Sequence, residues 1–293
     1  MSWLVIVNPT AGRGHELADR SDAALEARSI EHELVESAGE ADIARLVSDG
    51  IGAGFDHFVS VGGDGTAHLV VNALMAHHWK EPPTLAILPA GSGSDFIRTF
   101  ALPKHLELAA DHLATEDRYP TDVGIIEGGF GERHFLNAVN VGIAAASAAR
   151  AGRLSRRLGR LRYSAAFWLT LAGFPPARVG VTAGPHEFEG EALNVTVANG
   201  QFFGGGLNVA PRASVQDGLL DVQVFRAPRT AAFSVMPRVM WGTHLTHRAV
   251  RRYVVDQVTI DAPKSWPVEA DGEQIGAGPV SVRLLPQALW FKI

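Results

Sequence analysis

The sequence predicts an N-terminal doubly wound α/β domain, followed by an antiparallel, sheet-rich C-terminal domain resembling a β-sandwich. Three observations predict it. Short apolar runs alternate with helical patterns through residue 126, the sequence form of a parallel sheet flanked by helices. Glycine-bearing loops follow three of those runs. Beyond the turn at Gly128, Gly129 and Gly131 the apolar residues recur at every second position, as half-buried antiparallel strands require. With 293 residues and 46% hydrophobic content, the chain can fill two cores. The expected division is 1–126 and 127–285, with a last strand over 286–293 returning to the first domain.

In the first domain, strands are expected over 3–7, 33–35, 57–61 and 84–88. Helices are expected between them, over 17–28, 41–49 and 67–79, where apolar residues fall three and four apart. In the second domain, alternation at Leu193, Val195 and Val197, at Leu220, Val222 and Val224, at Val258 and Ile260, and at Val280, Val282 and Leu284 predicts strands. Two helical insertions are expected, over 154–171 and 232–255.

The absence of cysteine excludes disulfides, thiolate metal sites and cysteine nucleophiles, and fits a reducing compartment. The first residues lack the basic segment, apolar run and cleavage site of a signal peptide, so retention in the cytoplasm is expected. No stretch approaches the roughly 20 apolar residues that cross a bilayer. Asn194 and Thr196 match a glycosylation sequon, which without a secretory signal reads as a strand segment. A net charge of −5 argues against a nucleic-acid partner. That charge is uneven, because no Asp or Glu lies from Arg133 through His186 while Arg150, Arg153, Arg156, Arg157, Arg160 and Arg162 do.

The strongest chemical feature is Val61-Gly62-Gly63-Asp64-Gly65-Thr66, between an expected strand and an expected helix. Its glycines let the backbone approach a ligand, and the following helix start presents unpaired amides to phosphate. Equivalent loops follow the first strand, at Asn8, Pro9, Thr10, Ala11, Gly12, Arg13 and Gly14, and the fourth, at Leu88, Pro89, Ala90, Gly91, Ser92, Gly93, Ser94 and Asp95. All three would converge at the carboxyl ends of the strands. No Gly-Lys dipeptide occurs, which excludes a Walker loop, and no dinucleotide fingerprint or nucleophile elbow is present.

These three loops, in this order, resemble the diacylglycerol kinase catalytic family of bacterial and eukaryotic lipid kinases. The resemblance continues through Asp122-Val123-Gly124, the segment from Pro211 to Leu219, the segment from Gly242 to His247, and Asp271-Gly272-Glu273, and so spans nearly the whole chain. The glycine loop is shared with NAD kinases, whereas the late segments favour the lipid branch. The resemblance implies an ATP- and Mg²⁺-dependent kinase acting on the hydroxyl of diacylglycerol or a related lipid, a sphingoid or ceramide kinase being the nearest alternative and an NAD kinase a distant one. It implies an ATP-binding first domain, a lipid-binding second domain and catalysis between them.

ATP would lie against Asn8, Pro9, Thr10, Ala11 and Gly12, against Gly62, Gly63, Asp64, Gly65 and Thr66, and against Ser37 and Ser92. Asp64, Asp95 and Asp122 would form an acidic network around the catalytic Mg²⁺, a divalent ion offsetting their mutual repulsion. Read alone, each Asp would serve as a turn residue or helix cap. Ser214 and Leu219 would offer carbonyls, and Asp217 a carboxylate, to a second, structural Mg²⁺. Gln216-Asp217-Gly218 reads equally well as a β-turn. Glu273 is the expected general base, with Asp271 holding the loop or assisting the metal network. Ser94 and Leu69 depart from the commonest family pattern, which has Asn and Glu there, and so leave open a nucleotide-responsive lipid-binding protein without turnover.

One helix is expected over 150–174, with Arg153, Arg156, Arg157 and Arg160 on one face and Leu154, Leu158 and Leu161 on another. Followed by Phe167 and Trp168, it suits peripheral contact of the 150–162 region with an anionic inner leaflet. A solvated helix packed on its own domain is the alternative. A homodimer is the other assembly this reading leaves open.

Overall fold

The computed structural model describes residues 2–11, 16–91, 94–155 and 161–293. The chain divides into two compact units, Met1–Asp122 with Pro286–Ile293, and Val123–Leu285.

The first unit contains β1 (Trp3–Val7), α1 (Glu16–Glu26), β2 (His32–Glu36), α2 (Glu40–Gly52), β3 (His57–Gly62), α3 (Asp64–Met75), β4 (Thr84–Pro89) and the short α4 (Leu106–Ala109). The four strands pair in parallel in the order β2-β1-β3-β4. Every residue of β1 and β4 is buried. Helices covering both faces of a parallel sheet explain why these strands read as continuous apolar runs. The helices supply the cover through Leu17 and Leu25 of α1, Ile43 and Val47 of α2, and Val70, Val71 and Leu74 of α3, all buried.

The chain leaves the first unit within β5 (Arg118–Gly128) and turns back as β6 (Gly131–Phe135), antiparallel to it. Then come β7 (Ala138–Gly142), α5 (Ile143–Arg153), α6 (Leu161–Gly173), β8 (Ala177–Ala183), β9 (His186–Ala198), the two-residue strands β10 (Phe202–Phe203) and β11 (Leu207–Asn208), β12 (Leu220–Arg226) and α7 (Ala232–Met240). The series closes with β13 (Val250–Val255), β14 (Gln257–Asp261), β15 (Pro267–Ala270), β16 (Glu273–Ala277) and β17 (Val280–Lys292). The long β9 organises the second unit. Its first half pairs with β8, its second half with β7 and β12, all antiparallel. The alternating inward residues, among them Val139, Val181, Val195, Val222 and Trp266, form one core. Asn194 and Thr196 of the sequon lie buried inside β9. At the far end of β17, Trp290 and Phe291 pair in parallel with Thr84 and Leu85, adding a fifth strand to the first unit's sheet.

Two helical expectations are corrected. The arginine-rich stretch from 150 is not one helix: α5 closes at Arg153, Leu154 has an extended ψ of 153°, and α6 begins at Leu161. The alanine-rich segment Ile143–Arg153 forms a helix of its own, as alanine's propensity favours. Arg156, Arg157 and Arg160 fall outside the described residues. The helix expected over 232–255 stops at Met240, where Gly242 takes a φ of +66°. Val250–Val255 is a strand antiparallel to β12, in keeping with its valines and tyrosine. No helix among the described residues is long and apolar enough to cross a membrane.

Candidate active site

The carboxyl ends of β1, β2, β3 and β4 share one edge of the first unit's sheet, the edge where open parallel sheets bind ligands. Main-chain bonds knit the loops there: Asn8 N–H donates to Val61 O at 3.0 Å, Ser37 N–H to Val7 O at 2.9 Å, and Ala90 N–H to Gly62 O at 2.8 Å. A Cβ on Gly91 would stand 2.6 Å from the Gly63 Cα, so two loop backbones approach as only glycine allows. A Cβ on Gly62 would collide with the Thr66 hydroxyl. That hydroxyl accepts from Asn8 Nδ2 at 3.1 Å, and Asn8 Oδ1 accepts the Thr10 N–H at 3.0 Å and the Thr10 hydroxyl at 2.7 Å. Pro9 lies within this turn, which Ala11 N–H closes onto Asn8 O at 3.0 Å. The Ser37 hydroxyl is buried and has no hydrogen-bond partner among the described residues. A ligand atom would relieve that cost. Gly12 and Ser92 lie outside the described residues.

Asp64 is not inside the glycine loop but opens α3, with Gly63 as the preceding cap residue. A carboxylate in the first turn is favoured by the helix dipole, and Gly65 and Thr66 share that turn. Asp64 Oδ1 accepts the Asp95 N–H at 2.8 Å. Asp95 is buried, with Oδ1 3.2 Å from Arg98 Nε. Ser94, before it, takes a φ of +53°. Asp122 is wholly buried and accepts the Gln287 N–H of β17 at 2.8 Å. Among the described residues no three acidic or histidine side chains are grouped to hold a metal ion. The Asp64 carboxylate thus meets the main chain of Asp95, and the Asp122 carboxylate that of the returning strand. Carboxylates such as these fit Mg²⁺, which takes one or two of them and completes its shell with phosphate oxygens and water.

In the second unit, Asp271 and Gly272 form the two-residue turn between β15 and β16, with φ values of +50° and +92°. Two positive values mark the turn type that suits strand twist, and Asp-Gly is its favoured sequence. The Asp271 carboxylate accepts three consecutive backbone N–H groups, from Leu136 at 2.8 Å, Asn137 at 2.9 Å and Ala138 at 3.1 Å. Of its two expected roles, these bonds are those of a loop holder. Glu273 follows, exposed, at the start of β16.

Glu269 was not legible as a site residue. It is buried in β15, where Oε1 accepts Asn140 Nδ2 and Oε2 accepts the Gly272 N–H, both at 2.6 Å. Asn140 Oδ1 in turn accepts the Thr196 hydroxyl at 2.6 Å and Asn194 Nδ2 at 3.2 Å. The one sequence signal is a charged side chain between Val268 and Ala270 in a short strand, on the face opposite the apolar core.

Asp217 and Leu219 are exposed and Ser214 is half-buried. Asp217 Oδ1 accepts the Leu219 N–H at 3.1 Å, and Gly218 takes a φ of +70°. The donors are one carboxylate and backbone carbonyls, all oxygen, a chemistry that suits a hard cation with water filling its shell.

Residues 2–126 match the diacylglycerol kinase catalytic domain, and residues 137–292 match the YegS C-terminal NAD kinase beta sandwich-like domain. A Pseudomonas aeruginosa (strain UCBPP-PA14) protein named Probable lipid kinase YegS-like is 29% identical over 85% of this chain and 80% of its own length. A diacylglycerol kinase of Mycobacterium tuberculosis is 29% identical over 97% of this chain and 92% of that protein. A solved structure of a Bacillus anthracis diacylglycerol kinase matches with a TM-score of 0.74 at 22% identity, covering 99% of this chain and 96% of that one. Another structure from that organism reaches 0.82 at 24% with the same coverage. At these identities the two structures speak for the fold. With one matched segment for catalysis and one for the sandwich-like unit, the chain belongs to the lipid kinase family that joins a diacylglycerol kinase catalytic domain to a YegS-type C-terminal domain.

Proposed function

We propose that this chain transfers the γ-phosphoryl group of ATP to the hydroxyl of diacylglycerol or a related membrane lipid, working from the cytoplasm at the inner face of the membrane. The observation that carries the reading is the single sheet edge at which Asn8, Gly62 and Gly91 meet beside Asp64 and Asp95, in a chain of a lipid kinase family.

The N-terminal turn of α3 offers phosphate its amides and the positive end of a helix dipole. Asn8, Thr10 and Thr66 supply small polar groups for phosphate or ribose, and Ser37 supplies a buried hydroxyl. Bound Mg²⁺, held by Asp64, Asp95 and phosphate oxygens, would neutralise charge on the transferring group. Glu273 takes the proton of the lipid hydroxyl while the new P–O bond forms and ADP leaves with the electrons of the broken one. Asp271 and Glu269 hold the turn that carries Glu273. Asp217, with the carbonyls of Ser214 and Leu219, would bind a second ion that braces its loop.

The test is radiolabelled ATP and Mg²⁺ incubated with total membrane lipids, with diacylglycerol, sphingoid bases, ceramide and NAD as separate acceptors. Label is expected in the phosphorylated glycerolipid. Label in NAD alone would overturn the reading. Ser94 and Leu69, at positions where family members commonly carry Asn and Glu, favour one second reading, a nucleotide-responsive lipid-binding protein. ATP binding without consumption, in the presence of every lipid, would select it.

A further inference from the structure

α7 is apolar on both sides. Its inner face buries Ala232, Val235 and Val239, which pack in clusters with residues such as Leu171 of α6, Leu193 of β9 and Val250 of β13. Its outer face presents Phe233, Pro237, Met240 and, just past the helix end, Trp241. Those positions are four, seven and eight residues from the first and form one stripe. Phe233 is 66% exposed, Met240 63% and Trp241 81%. The stripe continues onto α6, because Phe233 stacks on Trp168 at 5.0 Å with Leu169 exposed beside it. Arg229 joins the two helices through a 3.3 Å bond to the Ala172 carbonyl at the end of α6. A helix apolar on two opposite faces, with one of them in water, lacks a partner on that side.

The charge around the stripe says what the partner is. In a chain of net charge −5, the segment of α6 lies in the stretch without Asp or Glu from Arg133 to His186, and the segment of α7 lies in a second such stretch between Asp221 and Asp256. Arg238 is exposed on α7, and Arg150 and Arg153 are exposed at the end of α5, which packs against α6. Aromatic and aliphatic side chains rimmed by arginine match the interfacial layer of an anionic bilayer, where rings sit at headgroup depth and cations meet lipid phosphates. A second copy of the chain fits less well, since a two-fold contact would set the same arginines against one another.

We infer that the outer face of α6 and α7, centred on the stacked Trp168–Phe233 pair and Trp241, is the surface by which this protein docks on anionic membranes. The docking surface extends the contact expected of the 150–162 region and Trp168 onto α7, and does not depend on which hydroxyl is phosphorylated. Only the turnover arm of its test rests on the lipid kinase reading.

The test is co-sedimentation of the full chain with vesicles of phosphatidylcholine alone or mixed with phosphatidylglycerol. The chain should favour the anionic vesicles, and the combined variant Phe233→Ser and Trp241→Ser should lose roughly tenfold or more in partitioning, as removal of two interfacial anchors implies. Arg238→Gln should lose about fivefold on anionic vesicles only, the effect expected for one cation at the surface. Trp241→Ser alone, at the most exposed position, covers the case in which the combined variant fails to fold. ATP binding should be unchanged, and turnover should fall with lipid in vesicles but persist with lipid in detergent. Failure of every lipid to accept label, with vesicle binding as expected, would sink the kinase reading and leave the docking surface standing. Unaltered vesicle binding by the variants, equal binding to both vesicle types, or conversion of a dimer to a monomer by the Phe233 and Trp241 changes would overturn the inference.

Discussion

Glu273 is short-range in sequence but long-range in its support. The turn that carries it is fixed by Asp271 on the N–H groups of residues 136–138 and by Glu269 on Gly272 and Asn140. General-base catalysis contributes on the order of 10²–10⁴-fold, so Glu273→Gln should depress turnover by about that range with every accepted lipid, while ATP affinity holds. A variant keeping more than roughly a third of wild-type turnover would move the base elsewhere. Titration makes a second prediction at this scale. Burial first, and the nearby Lys292 ammonium second, push the His112 imidazole down from 6.5 to about 4. The unfolded chain therefore takes up this proton more readily than the folded one. The stability involved is complete above pH 6.5 and is lost as pH falls toward about 4. Melting temperature should drop across that window, and His112→Leu should flatten the drop; an unchanged slope would assign it to other groups.

Among the elements, the loops at the strand ends carry the least tolerance. Gly91→Ala places a methyl 2.6 Å from the Gly63 Cα, where neither backbone can yield without moving a loop. The variant should lose stabilisation by ATP and Mg²⁺ in thermal melts, since displaced amides no longer meet phosphate. Retained stabilisation would show that nucleotide binds away from this edge. Ser94 holds a φ of +53° that asparagine adopts more readily. Ser94→Asn should raise the melting temperature, and a fall would show that this buried site has no room for the longer side chain. The exposed loop at Asp217 makes a different prediction. Asp217→Ala should blunt any rise in melting temperature produced by added Mg²⁺, and an equal rise in both proteins would leave only a turn there.

For the whole molecule, the returning end of β17 decides whether the first unit holds. Phe291 is wholly buried, pairs with Leu85 and stacks on Phe100 at 4.7 Å. Phe291→Ala should cost about 3–5 kcal/mol in denaturant unfolding, the range for a deleted core aromatic. A loss below about 1 kcal/mol would mean that the returning strand is dispensable. What the sequence by itself determined are the features written locally. The parallel strands β1, β3 and β4 were legible because burial on both faces needs nearly unbroken apolar runs, and the strand-end loops because sharp turns and close backbone approach need glycine. The strands β14 and β17 were legible because half-burial repeats every two residues, whereas in β9 and β12 the polar partners in the alternation, Asn194, Thr196, Asp221 and Gln223, are buried too. The tertiary structure alone decided that α5 ends at Arg153, that Val250–Val255 pairs with β12, that Asp122 meets Gln287, and that Asp271 reaches residues 136–138. Partners more than 130 residues apart leave no periodicity to read. Nor does a local window tell a buried carboxylate with partners from an exposed one: Glu269 and Glu273 stand four residues apart, and only the packing around β7, β9 and β15 separates a positioning residue from the expected base.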